Sequence, residues 1–191
     1  MKSVKKVKFA ELKAGSGDTW SSLGGIRFYS NGSMHASGSL ISESGLVADL
    51  QNFIASASSK YRTHYLIHHA VLTTRDPIGN YPNNGYWLAA DKSYNNWFEV
   101  EFKETKNIDR IDWVQKPDTQ YGARGTANPL KIQFFDEGGL LIQEFSVEGD
   151  LTPNAISSLT LEDKLIKYIV EAEGVNQYWT GSAWADIQET G

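Results

Sequence analysis

The sequence contains no cysteine, so disulfide bonds and thiolate chemistry are excluded. The absence of cysteine also fits synthesis in a reducing cytoplasm. No apolar run approaches the length needed to cross a bilayer, and we therefore expect no membrane insertion. The amino-terminal segment is positively charged but has no apolar stretch, so it does not resemble a secretory signal peptide.

Basic charge is also scarce, because 18 Lys and Arg residues face 23 Asp and Glu residues and give a net charge of −5. Nucleic-acid phosphates favour basic surfaces, so we expect no nucleic-acid partner.

Catalytic signatures are missing as well: the chain has no GxSxG, phosphate-binding or dinucleotide-binding motif. Glu99/Glu101 and Asp109/Asp112 are carboxylate pairs, but glycoside hydrolysis needs two carboxylates that face each other across a pocket. We expect Glu99 and Glu101 to share one solvated face, and we predict a binding protein rather than an enzyme.

The clearest structural pattern lies in residues 96–102. Phe98, Val100 and Phe102 alternate with Glu99 and Glu101, which is the period of a strand with one buried face. Further short strands follow at spacings of roughly eight to twelve residues, with turn residues between them. At 191 residues, the chain is long enough to bury a core. These features predict an all-β sandwich.

Local patterns predict several individual elements. We expect a first strand over residues 4–12, a hairpin at Asn31-Gly32 and a second hairpin at residues 136–139. The spacing of apolar residues over 46–54 predicts a short helix. A closing strand is expected over Lys167–Glu171, and Tyr178, Trp179 and Trp184 suggest a small aromatic hairpin near the end.

The ordered segments ASASSKY, LTTRD, GYWLAA, NNWFEVEF and NIDRIDWV resemble the discoidin, or coagulation-factor C-type, group of galactose-binding-domain-like proteins. The positions that carry the resemblance are Ser56, Asp76, Trp87, Trp97, Val100, Ile108 and Ile111. The resemblance implies a jelly-roll β-sandwich over residues 1–174 with both Trp87 and Trp97 in its core. Residues 175–191 would then form a carboxy-terminal arm or begin a following module.

The same resemblance implies that loops at one end of the sandwich bind carbohydrate without catalysis. Sugar recognition uses aromatic faces together with planar hydrogen-bonding groups. The candidate ligand-binding residues are Tyr61, Arg62, His64, Tyr94, Asn95, Gln120, Tyr121 and Arg124.

Metal binding is a separate possibility. The family often holds a structural calcium ion, for which Asp76 and Asn80 supply oxygen ligands, although such loops also simply form turns. On a helix His64 and His68 would share a face as a two-histidine metal pair, although such residues are more often ordinary polar groups.

The IRFYSNG hairpin and the YWTGSAW tail resemble modules of bacteriophage tail and baseplate proteins. This resemblance implies a virion or extracellular location after cytoplasmic synthesis, with cell-surface glycans, a second copy of the chain or neighbouring virion subunits as partners. Two alternatives stay open. One is a structural or assembly module of a virion, and the other is an accessory domain of a secreted glycosidase.

Overall fold

A computed structural model describes residues 3–14, 20–63, 65–74, 85–90, 95–117 and 125–161, together with the backbone of 170–172, 175–179 and 184–186. The chain forms two compact units, residues 1–160 and 161–191. The first unit ends at Thr160, whereas the sequence pattern places the domain boundary after Gly174.

The described residues of the first unit form antiparallel strands and one short 3-10 helix, Ile67–Ala70. Its strands are β1 (Ser3–Leu12), β2 (Ser22–Ser30), β3 (Ser33–Met34), β4 (Leu40–Ser44), β5 (Val47–Leu50), β6 (Phe53–Ala57), β7 (Trp87–Leu88), β8 (Asn96–Asn107), β9 (Arg110–Val114), β10 (Leu130–Phe135), β11 (Leu141–Val147) and β12 (Ile156–Thr160). A seven-stranded sheet has the order β11-β10-β1-β8-β6-β5-β4. The second sheet has the order β12-β9-β2-β3, and β7 also pairs with β2.

Aromatic side chains join the buried faces of the two sheets. Phe28 of β2 packs against Phe53 and Phe102 of the seven-stranded sheet, with ring centroids 6.0 and 5.0 Å apart. Phe9 of β1 meets Trp113 of β9 at 6.3 Å. All five rings are buried, and such edge-to-face contacts add to the free energy gained by burying apolar area. The first unit is therefore an all-β sandwich, as the strand pattern predicts.

The alternation in β8 is confirmed, because Phe98, Val100 and Phe102 are fully buried. The same alternation shows that the expected core position of Trp97 is wrong. Trp97 stands between the buried residues Asn96 and Phe98, so it lies on the outer face of the sheet. It is half-buried beneath the Lys8 ammonium, which lies 5.1 Å from its ring centroid. Its counterpart Trp87 is buried as predicted.

Both predicted hairpins are present. Asn31 and Gly32 have φ angles of 48° and 76°, which is the left-handed pair that a two-residue hairpin turn requires. Gly139, with φ of 79°, closes the turn between β10 and β11.

The predicted helix over residues 46–54 is wrong, since these residues form β5, a turn and the start of β6. Ala48 and Leu50 point inward from β5, and Phe53 points inward from β6. Two short strands with a turn between them thus imitate the apolar spacing of a helix.

The outer face of the seven-stranded sheet carries cross-strand ion pairs. Glu99 and Glu101 of β8 pair with Lys6 and Lys5 of β1 at 3.3 and 3.8 Å. The two carboxylates share one face, as expected from the sequence, whereas their pairing with Lys5 and Lys6 was not predicted. Two carboxylates side by side on one face do not have the facing geometry that glycoside hydrolysis needs.

The second unit contains a three-stranded antiparallel sheet of β13 (Val170–Ala172), β14 (Val175–Trp179) and β15 (Trp184–Asp186). Trp179 pairs with Trp184, so the predicted aromatic hairpin is present. The strand predicted over Lys167–Glu171 was expected to close the sandwich. Its described residues, Val170 and Glu171, belong instead to β13 and pair with β14.

None of the described helical segments is long and apolar enough to cross a membrane.

Candidate functional site

One end of the sandwich contains those predicted ligand-binding residues that the structure describes. At this end β6 finishes and β8 begins, and the hydroxyl groups of Ser58 and Ser59 both donate to the Asn96 side-chain oxygen, at 3.1 and 3.3 Å. The Tyr61 amide donates to the carbonyl of Leu88 at 2.8 Å. These bonds fix the residues 58–61 beside the start of β8.

An aromatic cluster lies at this end and consists of Trp20, Tyr61, Tyr65 and Tyr86, packed with Leu88. Neighbouring ring centroids are 4.9, 5.8 and 5.4 Å apart along the series Trp20, Tyr61, Tyr65 and Tyr86. Tyr65 and Tyr86 are buried, whereas Trp20 and Tyr61 are only partly buried. The cluster therefore has a fixed inner half and an outer half, the Trp20–Tyr61 pair, that solvent reaches.

Arg62 extends this pair with a cation. Its side chain is exposed, and its guanidinium carbon lies 4.9 Å from the centroid of the Tyr61 ring, which is within the range of a cation–π contact. Arg62 also has a φ of 56°, a left-handed conformation that costs a non-glycine residue free energy.

Three of the predicted ligand-binding residues, Tyr61, Arg62 and Asn95, are described, and all three lie at this end of the sandwich. Asn95 is exposed and immediately precedes Asn96, which holds Ser58 and Ser59. The other predictions lie outside the described residues, namely His64, Asp76, Asn80, Tyr94, Gln120, Tyr121 and Arg124. Trp20 was not among the candidate ligand-binding residues predicted from the sequence. A single tryptophan within the polar stretch GSGDTWSSLGG is a signal that could have identified it.

A buried polar network lies under the same end. The Gln115 side-chain amide donates to the carbonyl of Thr126 at 2.8 Å and to the Asn128 side-chain oxygen at 2.7 Å, while its own oxygen accepts from the Trp113 indole at 3.2 Å. Asn128 in turn bonds to both backbone groups of Gly149. The side-chain nitrogen and oxygen of Gln115 thus both have hydrogen-bond partners, as a buried polar network requires.

Ser30, His35 and Asp109 gather at the opposite end and superficially resemble a catalytic triad. His35 Nε2 is 2.7 Å from the Ser30 hydroxyl, and Asp109 accepts a hydrogen bond from the Asn31 amide. However, the Ser30 hydroxyl donates to the carbonyl of Asn107, which can only accept. His35 must therefore donate its own proton to Ser30, which is the reverse of the transfer that activates a serine nucleophile.

Glu43 joins β4 to the 3-10 helix. One carboxylate oxygen accepts from Lys60 Nζ and the Ile67 amide, both at 3.0 Å, and the other accepts from His68 Nδ1 at 2.6 Å and the His68 amide at 3.2 Å. Burial raises the pKa of the Glu43 carboxyl, but these hydrogen bonds outweigh it and lower the pKa from 4.5 to about 2.

His68 was expected either as half of a metal pair or as an ordinary polar residue. Its ring is occupied on one side by Glu43, and the described residues contain no group of three or more His, Cys, Asp or Glu side chains placed to hold a metal ion. The contact with Glu43 gives His68 a structural role. The metal pair stays a prediction, because its other half, His64, lies outside the described residues.

In comparisons with known proteins, no family model, no curated protein and no solved structure matches this chain.

Proposed function

We propose that this protein is a non-catalytic carbohydrate-binding module built on a jelly-roll sandwich of the galactose-binding-domain-like kind. The observation that carries the proposal is the solvent-accessible Trp20–Tyr61 pair, with exposed Arg62 and Asn95 at the same end of the sandwich. The apolar C–H face of a sugar ring stacks on an aromatic face, and its hydroxyl groups bond to planar amide and guanidinium groups.

The rigidity of the site supports the same function. Tyr61 is held by its backbone bond to Leu88 and by ring contact with Tyr65. A fixed aromatic surface loses little conformational entropy when a ligand binds, so a larger part of the stacking energy remains as affinity.

The biological setting that we propose is a bacteriophage tail or baseplate that recognises glycans on the host surface. It rests on the resemblance of the IRFYSNG hairpin and the YWTGSAW tail. Display of several copies on one particle would raise weak single-site affinity through high effective concentration.

A glycan array with the intact chain, followed by solution titration of any ligand found, tests the function. We expect Trp20→Ala and Tyr61→Ala each to weaken binding by about tenfold, because each removes half of the stacking surface. Tyr29→Ala is the matched control, since Tyr29 is also half-buried under an arginine but lies at the opposite end of the sandwich. Absence of binding to any glycan, or equal loss in the control, would contradict the proposal. Tyr121→Ala and Arg124→Ala test two predicted binding residues that lie outside the described part of the chain, and binding retained in both variants would remove them from the candidate site.

An assembly module is the second candidate, and a specific observation favours it. β4 is an edge strand of the seven-stranded sheet, and four apolar side chains of the β4–β5 hairpin are exposed, namely Leu40, Ile41, Leu46 and Val47. Edge strands usually carry charges that prevent pairing with another chain. The one charged residue of β4, Glu43, is instead turned inward to Lys60 and His68.

Under this second candidate, β4 pairs with β4 of a second copy. Ile41→Lys should then lower the solution mass to that of a monomer, whereas Leu141→Lys at the opposite edge should not. Removal of residues 175–191 examines whether the aromatic hairpin of the second unit takes part. A monomeric parent protein would exclude self-assembly through this edge. An accessory role beside a glycosidase predicts a catalytic domain in the same gene product.

A further inference from the structure

The chemical class of the saccharide follows from the surroundings of Arg62, and this inference rests on the proposed function. Among the described residues the only interaction of the Arg62 side chain is its contact with the Tyr61 ring. Its guanidinium has five N–H donors and is always protonated.

The other described arginines are differently placed. Arg110 also stacks on a tyrosine, Tyr29, at 3.8 Å. It has a carboxylate partner, because its Nε lies 3.2 Å from Asp112, although that N–H is not aimed for a hydrogen bond. Arg27 is buried and donates to the Ile26 carbonyl. Within the described part of the chain, Arg62 is thus the arginine whose charge faces solvent without a carboxylate partner.

The backbone at Arg62 adds a second, independent observation. Four described residues other than glycine have a left-handed φ: Glu11, Asn31, Arg62 and Asn154. Asparagine tolerates this conformation well, but arginine does not. Strained residues concentrate at functional sites, where the surrounding structure holds them. Here the strain keeps an exposed cation beside an aromatic surface in a protein of net charge −5.

We propose that the ligand is an acidic saccharide, in which a uronic or sialic acid ring stacks on the Trp20–Tyr61 pair and its carboxylate accepts hydrogen bonds from Arg62. Arginine and carboxylate match in a planar, two-bond geometry. An aromatic pair with a guanidinium over one of its two rings therefore selects a saccharide that carries a carboxylate over its neutral parent.

Titration of the intact protein with matched ligands tests this inference. The probes are polygalacturonate and its carboxyl-reduced neutral derivative, together with sialyllactose and lactose. We expect the acidic member of at least one pair to bind about tenfold or more tightly than the neutral one. Added sodium chloride should weaken the acidic member alone, since salt screens an exposed charge contact.

The variants assign this preference to one side chain. Arg62→Gln should reduce the acidic-to-neutral affinity ratio to about one, and Arg62→Lys should keep only part of it, because an ammonium lacks the planar pair of donors. Arg110→Gln, the stacked arginine at the opposite end, should leave the ratio unchanged.

The outcomes separate the two proposals. Three outcomes would overturn the inference of a carboxylate-bearing saccharide and leave carbohydrate binding intact. They are binding of neutral glycans without acid preference, preference for a sulfated galactan over both carboxylate probes, and an acid preference that survives Arg62→Gln. Failure to bind any glycan, neutral or acidic, would overturn both.

Discussion

Gly149 lies so close to Gln115 that a β-carbon at position 149 would stand 1.9 Å from the Gln115 side-chain oxygen. The Gln115 amide cannot easily withdraw, because it bonds to Thr126, Asn128 and Trp113. Position 149 therefore requires glycine, because there is no room for a side chain. This contact ties the segment after β11 to the network beneath the candidate binding end.

Gly149→Ala should lower the free energy of unfolding by about 1–3 kcal/mol, the usual cost of overpacking a buried site. Urea denaturation followed by circular dichroism measures the change. Gly138→Ala is the control, because the nearest atom to its added β-carbon is 3.4 Å away, an ordinary contact distance. Equal effects in the two variants would show that the Gln115 network yields without cost.

The Glu43 carboxylate should make stability depend on pH in the acid range. Its pKa is lowered from 4.5 to about 2 in the folded protein, so the unfolded chain takes up a proton at higher pH than the folded one. The stabilisation is thus complete above about pH 4.5 and is lost as the pH falls toward 2. From the size of the shift, it amounts to at most about 3 kcal/mol.

Glu43→Gln should consequently destabilise the protein at pH 7 and have almost no effect near pH 2, as measured by urea denaturation at a series of pH values. Glu104→Gln serves for comparison, since the Glu104 side chain is 85% exposed and its pair with Lys106 should contribute little. A difference between parent and Glu43→Gln that stays constant with pH would disprove the role assigned to the charge.

The two tryptophans of residues 86–102 should differ in their importance for folding. Trp87 is fully buried and its indole donates to the Ser59 carbonyl at 2.8 Å, so Trp87→Phe leaves a cavity and an unpaired buried acceptor. We expect a loss of about 2–4 kcal/mol. Trp97→Phe on the outer face should cost less than about 1 kcal/mol. Thermal denaturation of both variants measures the two losses in stability. Equal losses would show that Trp97 contributes to stability as much as the buried Trp87 does.

Arg62→Gly should separate stability from binding. Removing a side chain from a left-handed position relieves roughly 1 kcal/mol of strain, which offsets the roughly 0.5–1 kcal/mol lost with the exposed cation–π contact. The free energy of unfolding should therefore stay within about 1 kcal/mol of the parent value while the preference for an acidic over a neutral saccharide is lost. A large drop in stability would instead make Arg62 a structural residue.

The sequence predicts those parts of the fold that depend on local chemistry. Alternation identifies β8 because Phe98 and Val100 need burial, and the turn at Asn31-Gly32 follows from backbone tolerance of positive φ. The helix predicted over 46–54 fails because apolar spacing alone does not distinguish one helix from two short strands. The family resemblance implies a buried Trp97, but the alternation of β8 places this side chain on the outer face.

The candidate site is less accessible to sequence reasoning. Tyr61 and Arg62 were selected as aromatic and planar groups in a predicted loop, and the structure shows them in contact. Trp20 lies forty-one positions earlier in the chain than Tyr61, and only tertiary pairing brings their rings to 4.9 Å. No local pattern contains such a long-range contact.

Gln115 and Thr126 are joined by two hydrogen bonds, Thr126 N–H to the Gln115 carbonyl at 3.0 Å and the Gln115 amide to the Thr126 carbonyl at 2.8 Å. Gln115 and Thr126, which flank residues 116–125, are therefore fixed to each other on the scaffold. Both hydrogen bonds use groups of Gln115 and Thr126 themselves and none from the residues between them. Variation of the intervening sequence, by evolution or by library design, would therefore leave both donor–acceptor pairs available.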